Sequence, residues 1–135
     1  MARKFFGGMA FYVARGDGHL HFILSAPELF EGDFIVYVNL TTPKSDKPVD
    51  HPKNDHACRL FKEDHQFITG PTIVAYSHAQ CISGYNLERR FADGKATLYT
   101  PPASQEMLDR MRAGAAISDH LTQDCKAILR DQSLI

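Results

Sequence analysis

The chain of 135 residues has no tryptophan, only three cysteines, and a formal net charge of −1, with 15 Lys and Arg against 16 Asp and Glu. Each shortage excludes something. The near-zero charge excludes a globally basic nucleic-acid binder, although the basic residues suffice for a local phosphate-binding cleft. Cys58, Cys81 and Cys125 are odd in number, far apart in sequence and free of any C-x-x-C spacing. That pattern speaks against a disulfide framework and fits a reducing, cytoplasmic setting. No run approaches the roughly 18–20 apolar residues needed to cross a bilayer, so no membrane partner is expected. The opening "MARKFFGGMAFYVARGD" has the outline of a signal peptide, basic and then apolar. Gly7-Gly8 split that run, however, and its aromatic and β-branched content reads as a first strand. Internal repeats and low-complexity tracts are lacking as well. A length of this order predicts a single domain spanning 1–135.

What is present in the first half is strand-like. "MAFYVAR" (9–15) is followed by the turn signal Gly16-Asp17-Gly18 and then by "HLHFILS" (19–25). In the second run Leu20, Phe22 and Leu24 share one face, and His19, His21, Ile23 and Ser25 the other. "FIVYVNLTT" (34–42) is apolar on both faces, as expected of a central strand buried on both sides. Residues 43–55, "PKSDKPVDHPKND", form a long polar loop with three prolines, the kind of loop that is more often functional or mobile than merely connective. "HACRL" (56–60) and "TIVAYSHAQCIS" (72–83) again read as strands, and Asp93-Gly94 as a hairpin turn.

The character changes after Pro101-Pro102. Ser104 is placed to cap a helix with Met107, Leu108, Met111 and Ala115 on one face. Ser118 and Thr122 offer caps for a second short helix, "QDCKAILRD", with Cys125, Ile128 and Leu129 inward. The expected fold is mainly β, a small antiparallel barrel of about five to six strands over 9–100 with one or two helices over 103–131.

Seven histidines, at 19, 21, 51, 56, 65, 78 and 120, carry the candidate chemistry. On a strand, His19 and His21 point the same way, which admits three readings. They are two ligands of a metal site completed by Asp50-His51 or Asp55-His56, or outward residues of an edge strand, or acid–base groups needing no metal. Metal-free RNA cleavage requires a base for the 2′-hydroxyl, an acid for the 5′-oxygen and donors around the phosphorane. Histidine, arginine and hydroxyl side chains at strand ends can supply all three. His65, His78 and His120 read as structural. Arg89 and Arg90, in "LERR" (87–90), are candidate phosphate contacts, as are His51 and His56.

The order of these runs resembles the MazF/PemK-like toxins of toxin–antitoxin modules. "HLHFILS" stands where that family has an arginine–proline-led strand of the form "RPVLVIS", with Ser25 at its polar end. "FIVYVNLTT" is similar to the family's next strand, which ends in threonine. "HACRL" resembles a short "HVEL"-like strand, and "TIVAYSHAQCISGYNLER" (72–89) the strands that follow. The likeness covers roughly residues 9–115 and is one of pattern and order. It implies an SH3-like barrel, a homodimer, metal-independent endoribonuclease activity on single-stranded RNA with no cofactor, and a cognate antitoxin protein as partner. His19 stands in place of the family's loop arginine and Leu20 in place of the proline, while Arg15 lies four residues earlier. A histidine transfers protons but lacks arginine's permanent bidentate charge. The expected catalytic set is therefore His19, His21, Arg15, Ser25 and Thr41 or Thr42. His51, His56, Arg89 and Arg90 would contact RNA, and no metal is required. The alternative is a non-catalytic binding module of the same fold, gripping a protein or nucleic acid through the loop at 43–55.

Overall fold

Alternation along "HLHFILS" decides which side of a sheet each residue joins, and the core follows it. The computed structural model describes residues 3–13 and 19–135. The strands are β1 (Ala10–Val13), β2 (Leu20–Ile23), β3 (Ile35–Thr41), β4 (Arg59–Leu60), β5 (Thr72–Val74), β6 (Gln80–Ile82) and β7 (Ala96–Tyr99). Helix α1 (Gly84–Ala92) precedes β7, and α2 (Gln105–Ile117) and α3 (Gln123–Asp131) follow it.

Among the described residues all strand pairings are antiparallel, in the order β4-β5-β3-β2-β1-β7. β3 is the hub. One edge pairs with β2, while the other pairs with β6 near its start (Ile35 opposite Ile82) and with β5 near its end (Leu40 opposite Val74). The outermost strands β4 and β7 do not pair, so the sheet is open and the expected closed barrel is corrected. Closure is not needed here because helices cover both faces of the sheet, and β4, only two residues long, presents little free edge.

Leu20, Phe22, Leu24, Val36, Val38 and Leu40 face one side and pack with Met107, Leu108, Met111, Cys125 and Leu129 of α2 and α3. Phe11, Ile23, Ile35, Tyr37 and Ile82 face the other and pack with Leu87 and Phe91 of α1. The periodicities read in β2 and α2 are both realised. Ser104 Oγ accepts the amide of Met107, and Thr122 rather than Ser118 caps α3.

Helix α1 departs from expectation. Ser83 Oγ accepts the Asn86 amide, and Leu87 and Phe91 repeat at a spacing of four, so "LERR" lies on a helix. Asp93-Gly94 ends that helix, with Gly94 at φ +73°, instead of turning a hairpin. "TIVAYSHAQCIS" is divided into β5 and β6 by a 3-10 turn at Tyr76–His78, and "HACRL" pairs only at Arg59–Leu60.

The polar loop after β3 is pinned from within. Asn54, 3% exposed, accepts the Lys44 amide at 2.8 Å and donates to the carbonyls of Lys47 (3.0 Å) and Pro48 (3.3 Å). One side chain thus satisfies backbone groups that the three prolines leave without sheet partners. Replacing Asn54 by alanine is expected to cost about 1–3 kcal/mol, because buried backbone groups lose their partners. Urea unfolding checks this; an unchanged midpoint would show the loop held by something else.

Candidate functional site

β2 and β3 run side by side with His21 opposite Asn39 and Ile23 opposite Tyr37. Across β1, Phe11 lies opposite His21. His21 is stacked on Phe11, with ring centroids 5.4 Å apart and planes 18° from parallel. On its other side Tyr37 meets the imidazole edge-on at 5.5 Å. Two aromatic neighbours thus fix the orientation of a half-buried imidazole.

Tyr37 is also the hinge of a polar chain. Its ring is buried among Phe11 and the α1 residues, and its hydroxyl donates to Gln80 Oε1 at 3.0 Å. Arg90 Nη1, from the last turn of α1, donates to the same hydroxyl at 3.0 Å. Ser83 starts α1 where it does, and the spacing of Leu87 and Phe91 turns those residues to the core. Arg90 is thereby carried to the sheet face that bears His21. A guanidinium half-buried at one bond to a phenol retains further N–H donors for an anion. Amide and guanidinium meet at the phenol oxygen, and the imidazole lies against the ring of the same tyrosine. Among the described residues, no group of three His, Cys, Asp or Glu side chains could hold a metal ion.

The remaining candidates are distributed as follows. His19 immediately precedes β2, in phase with His21. Thr41 closes β3 in phase with Tyr37 and Asn39, half-buried and opposite Ile73, whereas Thr42 is exposed beyond the strand. Strand alternation therefore separates the two threonines, and Thr41 is the one on the His21 face. Ser25 is fully buried and its hydroxyl accepts the Val36 amide at 2.9 Å, so it closes the β2–β3 connection and is out of reach of a substrate. Arg15 lies outside the described residues. Arg89 is exposed beside the Tyr85 ring, 5.9 Å from its centroid.

His51 and His56 belong to the pinned loop. His51 caps the 3-10 turn Pro52–Asn54 by accepting the Lys53 amide, and His56 Nε2 lies 3.2 Å from Asn54 Oδ1. His56 borders a cleft of about 330 Å³ with Asp50, Asp55, Arg59, Asp119 and His120. There Ser118 donates to Asp55 and accepts the amides of His120 and Leu121, so its hydroxyl is saturated and serves as a cap. With three aspartates against one arginine, this cleft repels phosphate and is the weaker candidate for RNA. His65, read as structural, is so: 6% exposed, with Nε2 at 2.7 Å from the Pro101 carbonyl and Nδ1 accepting the Phe67 amide.

Tyr37 and Gln80 were not singled out in the sequence. The signal available was modest: a tyrosine inside an otherwise aliphatic run, "FIVYVNL", whose hydroxyl needs a partner once buried. No family model, curated protein or solved structure matches this chain.

Proposed function

We propose that this protein is a metal-independent endoribonuclease of the MazF/PemK type acting on single-stranded RNA. The observation that carries the proposal is that one side chain, Tyr37, joins His21, packed edge-on against its ring, to Arg90, which donates to its hydroxyl, two residues 69 positions apart that sequence pattern marked separately. Arg90 binds the scissile phosphate and offsets charge developing on the phosphorane. His21 takes or gives the proton of the transesterification, and His19, in phase with it just before β2, supplies the second imidazole. Thr41 offers a hydroxyl donor further along that face. Tyr37 and Gln80 hold Arg90 in place and are positioning residues. A homodimer, and an antitoxin protein covering the same face, belong to this proposal.

Incubation with a long unstructured RNA in excess EDTA tests the activity. Discrete fragments are expected; RNA left intact, with and without divalent ions, would overturn it.

A second reading, a non-catalytic binding module, is favoured by a groove of about 870 Å³ where the N-terminal segment and the loop at 27–33 meet the start of α1. Tyr85 lines it, and Leu29 and Phe34, next in sequence to the lining residues Glu28 and Asp33, are 74% and 57% exposed. Such apolar exposure suits a protein partner. Retention of partner binding with intact RNA would select this reading.

A further inference from the structure

Cys81 and Cys125 are 44 residues apart in sequence, and wide spacing of the cysteines spoke against a disulfide framework, yet their sulfurs meet at 2.8 Å. Cys81 is the middle residue of β6, opposite Val36 on β3, so it stands on the face that receives α3. Cys125 lies in the first turn of α3, behind the Thr122 cap, and is buried with the core of that face. Cys81 is exposed. One thiol is thus open to solution and its partner is enclosed beside it, on two elements packed by the same core.

We propose that Cys81 and Cys125 form a reversible dithiol–disulfide pair that, oxidised by a low-molecular-weight disulfide, staples α3 to the β6 strand. This rests on the thiol geometry and is independent of the RNA activity. The exposed Cys81 is the entry point: its thiol gives its proton to solvent and its sulfur attacks the external disulfide RSSR. An S–S bond forms at Cys81 and one RS⁻ leaves, taking up a proton. Cys125 then loses its proton and attacks Cys81 sulfur, expelling the second thiolate, which is also protonated. The protein has given up two electrons and two protons, and RSSR has become two RSH.

The immediate surroundings favour the resolving role of Cys125. The hydrogen bond from Cys81, opposed by burial and assisted by Thr122, brings the Cys125 thiol down to about 7. The same contact and then burial push Cys81 up. The proton between the two sulfurs is therefore held on Cys81, so accessibility makes Cys81 the entry point, and the enclosed sulfur, the stronger acid of the two, is an effective resolving thiolate. Closing a disulfide needs the sulfurs to move to about 2.05 Å, a short approach for a strand and a helix already in contact. Cys58 takes no part: it is buried, and desolvation raises its thiol to about 11.

The test uses the full chain, incubated with glutathione disulfide, quenched in acid and alkylated with N-ethylmaleimide in denaturant. The reduced protein is expected to take up a maleimide at each of its three cysteines, and the oxidised protein only at Cys58. Peptide mapping should show a Cys81–Cys125 link within one chain, reversed by dithiothreitol. In Cys125→Ser the glutathione adduct should persist on Cys81 because nothing resolves it, and Cys58→Ser should oxidise like the parent. Full alkylation of the parent after oxidation, a lasting adduct on Cys81 in the parent, or a link only between chains would each overturn the proposal.

Discussion

Replacing Gly114 by alanine is expected to destabilise the protein by about 2 kcal/mol or more, despite the better helix former. A Cβ built at Gly114 falls on the Tyr76 hydroxyl, 2.8 Å from Cys58 Cβ and 3.0 Å from the Ala57 carbonyl oxygen. None of these neighbours yields easily. Tyr76 is fully buried and its hydroxyl donates to the Met111 carbonyl at 2.6 Å, and the Ala57 oxygen belongs to the backbone. Helix propensity returns at most about 1 kcal/mol. Overpacking costs about 1–3 kcal/mol, and unpairing the buried hydroxyl adds a cost of similar size. Gly70, with nothing within 4 Å of its added Cβ, is the control, and its alanine variant should stay within about 0.5 kcal/mol of the parent. Thermal and urea unfolding of both variants measure the difference. Equal stability of Gly114→Ala and the parent would mean that α2 does not lie as close to the Tyr76 turn as described.

The second large effect concerns the site. His21→Ala should lower RNA cleavage by about 10²–10⁴-fold, the range for removing a positioned acid–base group. Arg90→Ala should lower it by about 10²–10³-fold through loss of a preorganised charge at the phosphate. Arg90→Lys should recover little, because an ammonium cannot bond the Tyr37 hydroxyl and present a planar fork at once. Tyr37→Phe keeps the ring that packs on His21 and removes only the oxygen shared by Arg90 and Gln80. It should reduce the rate less than Arg90→Ala while leaving the pH profile in place, as expected of a positioning residue. His51→Ala and His56→Ala should cleave like the parent, since both side chains are engaged in the pinned loop. Rates measured on folded variants decide this. Full activity in His21→Ala and Arg90→Ala would move the chemistry elsewhere.

Much of the sheet was legible because its strands obey strict alternation. Leu20, Phe22 and Leu24 share a face for the same reason that His21 and Ile23 share the other, and α2 declares itself by Ser104 and by Met107, Leu108, Met111 and Ala115. What was not legible depends on contacts between distant segments. α1 was hidden because its nine residues carry only two buried apolar side chains, Leu87 and Phe91, beside a Gly-Tyr-Asn start that reads as turn. An open sheet and a closed barrel have the same strand pattern; only the absence of a β4–β7 pairing separates them. The histidine face was marked in the sequence, but its composition was not. Arg90 reaches Tyr37, whose ring packs on His21, only because α1 packs on that side of the sheet, and Ser25, marked by its place at a strand end, turned inward to serve the backbone. The Cys81–Cys125 contact has the same origin, in β6 and α3 packing across a common core.

The most direct measurement is the chemical identity of the ends produced when the protein cuts RNA in excess EDTA, read by mass spectrometry of the fragments. Attack by the 2′-hydroxyl under histidine control predicts a 2′,3′-cyclic phosphate on one fragment and a 5′-hydroxyl on the other, with no cutting at a 2′-deoxy residue. Fragments carrying a 3′-hydroxyl and a 5′-phosphate, or cleavage that persists at the 2′-deoxy residue, would contradict the account.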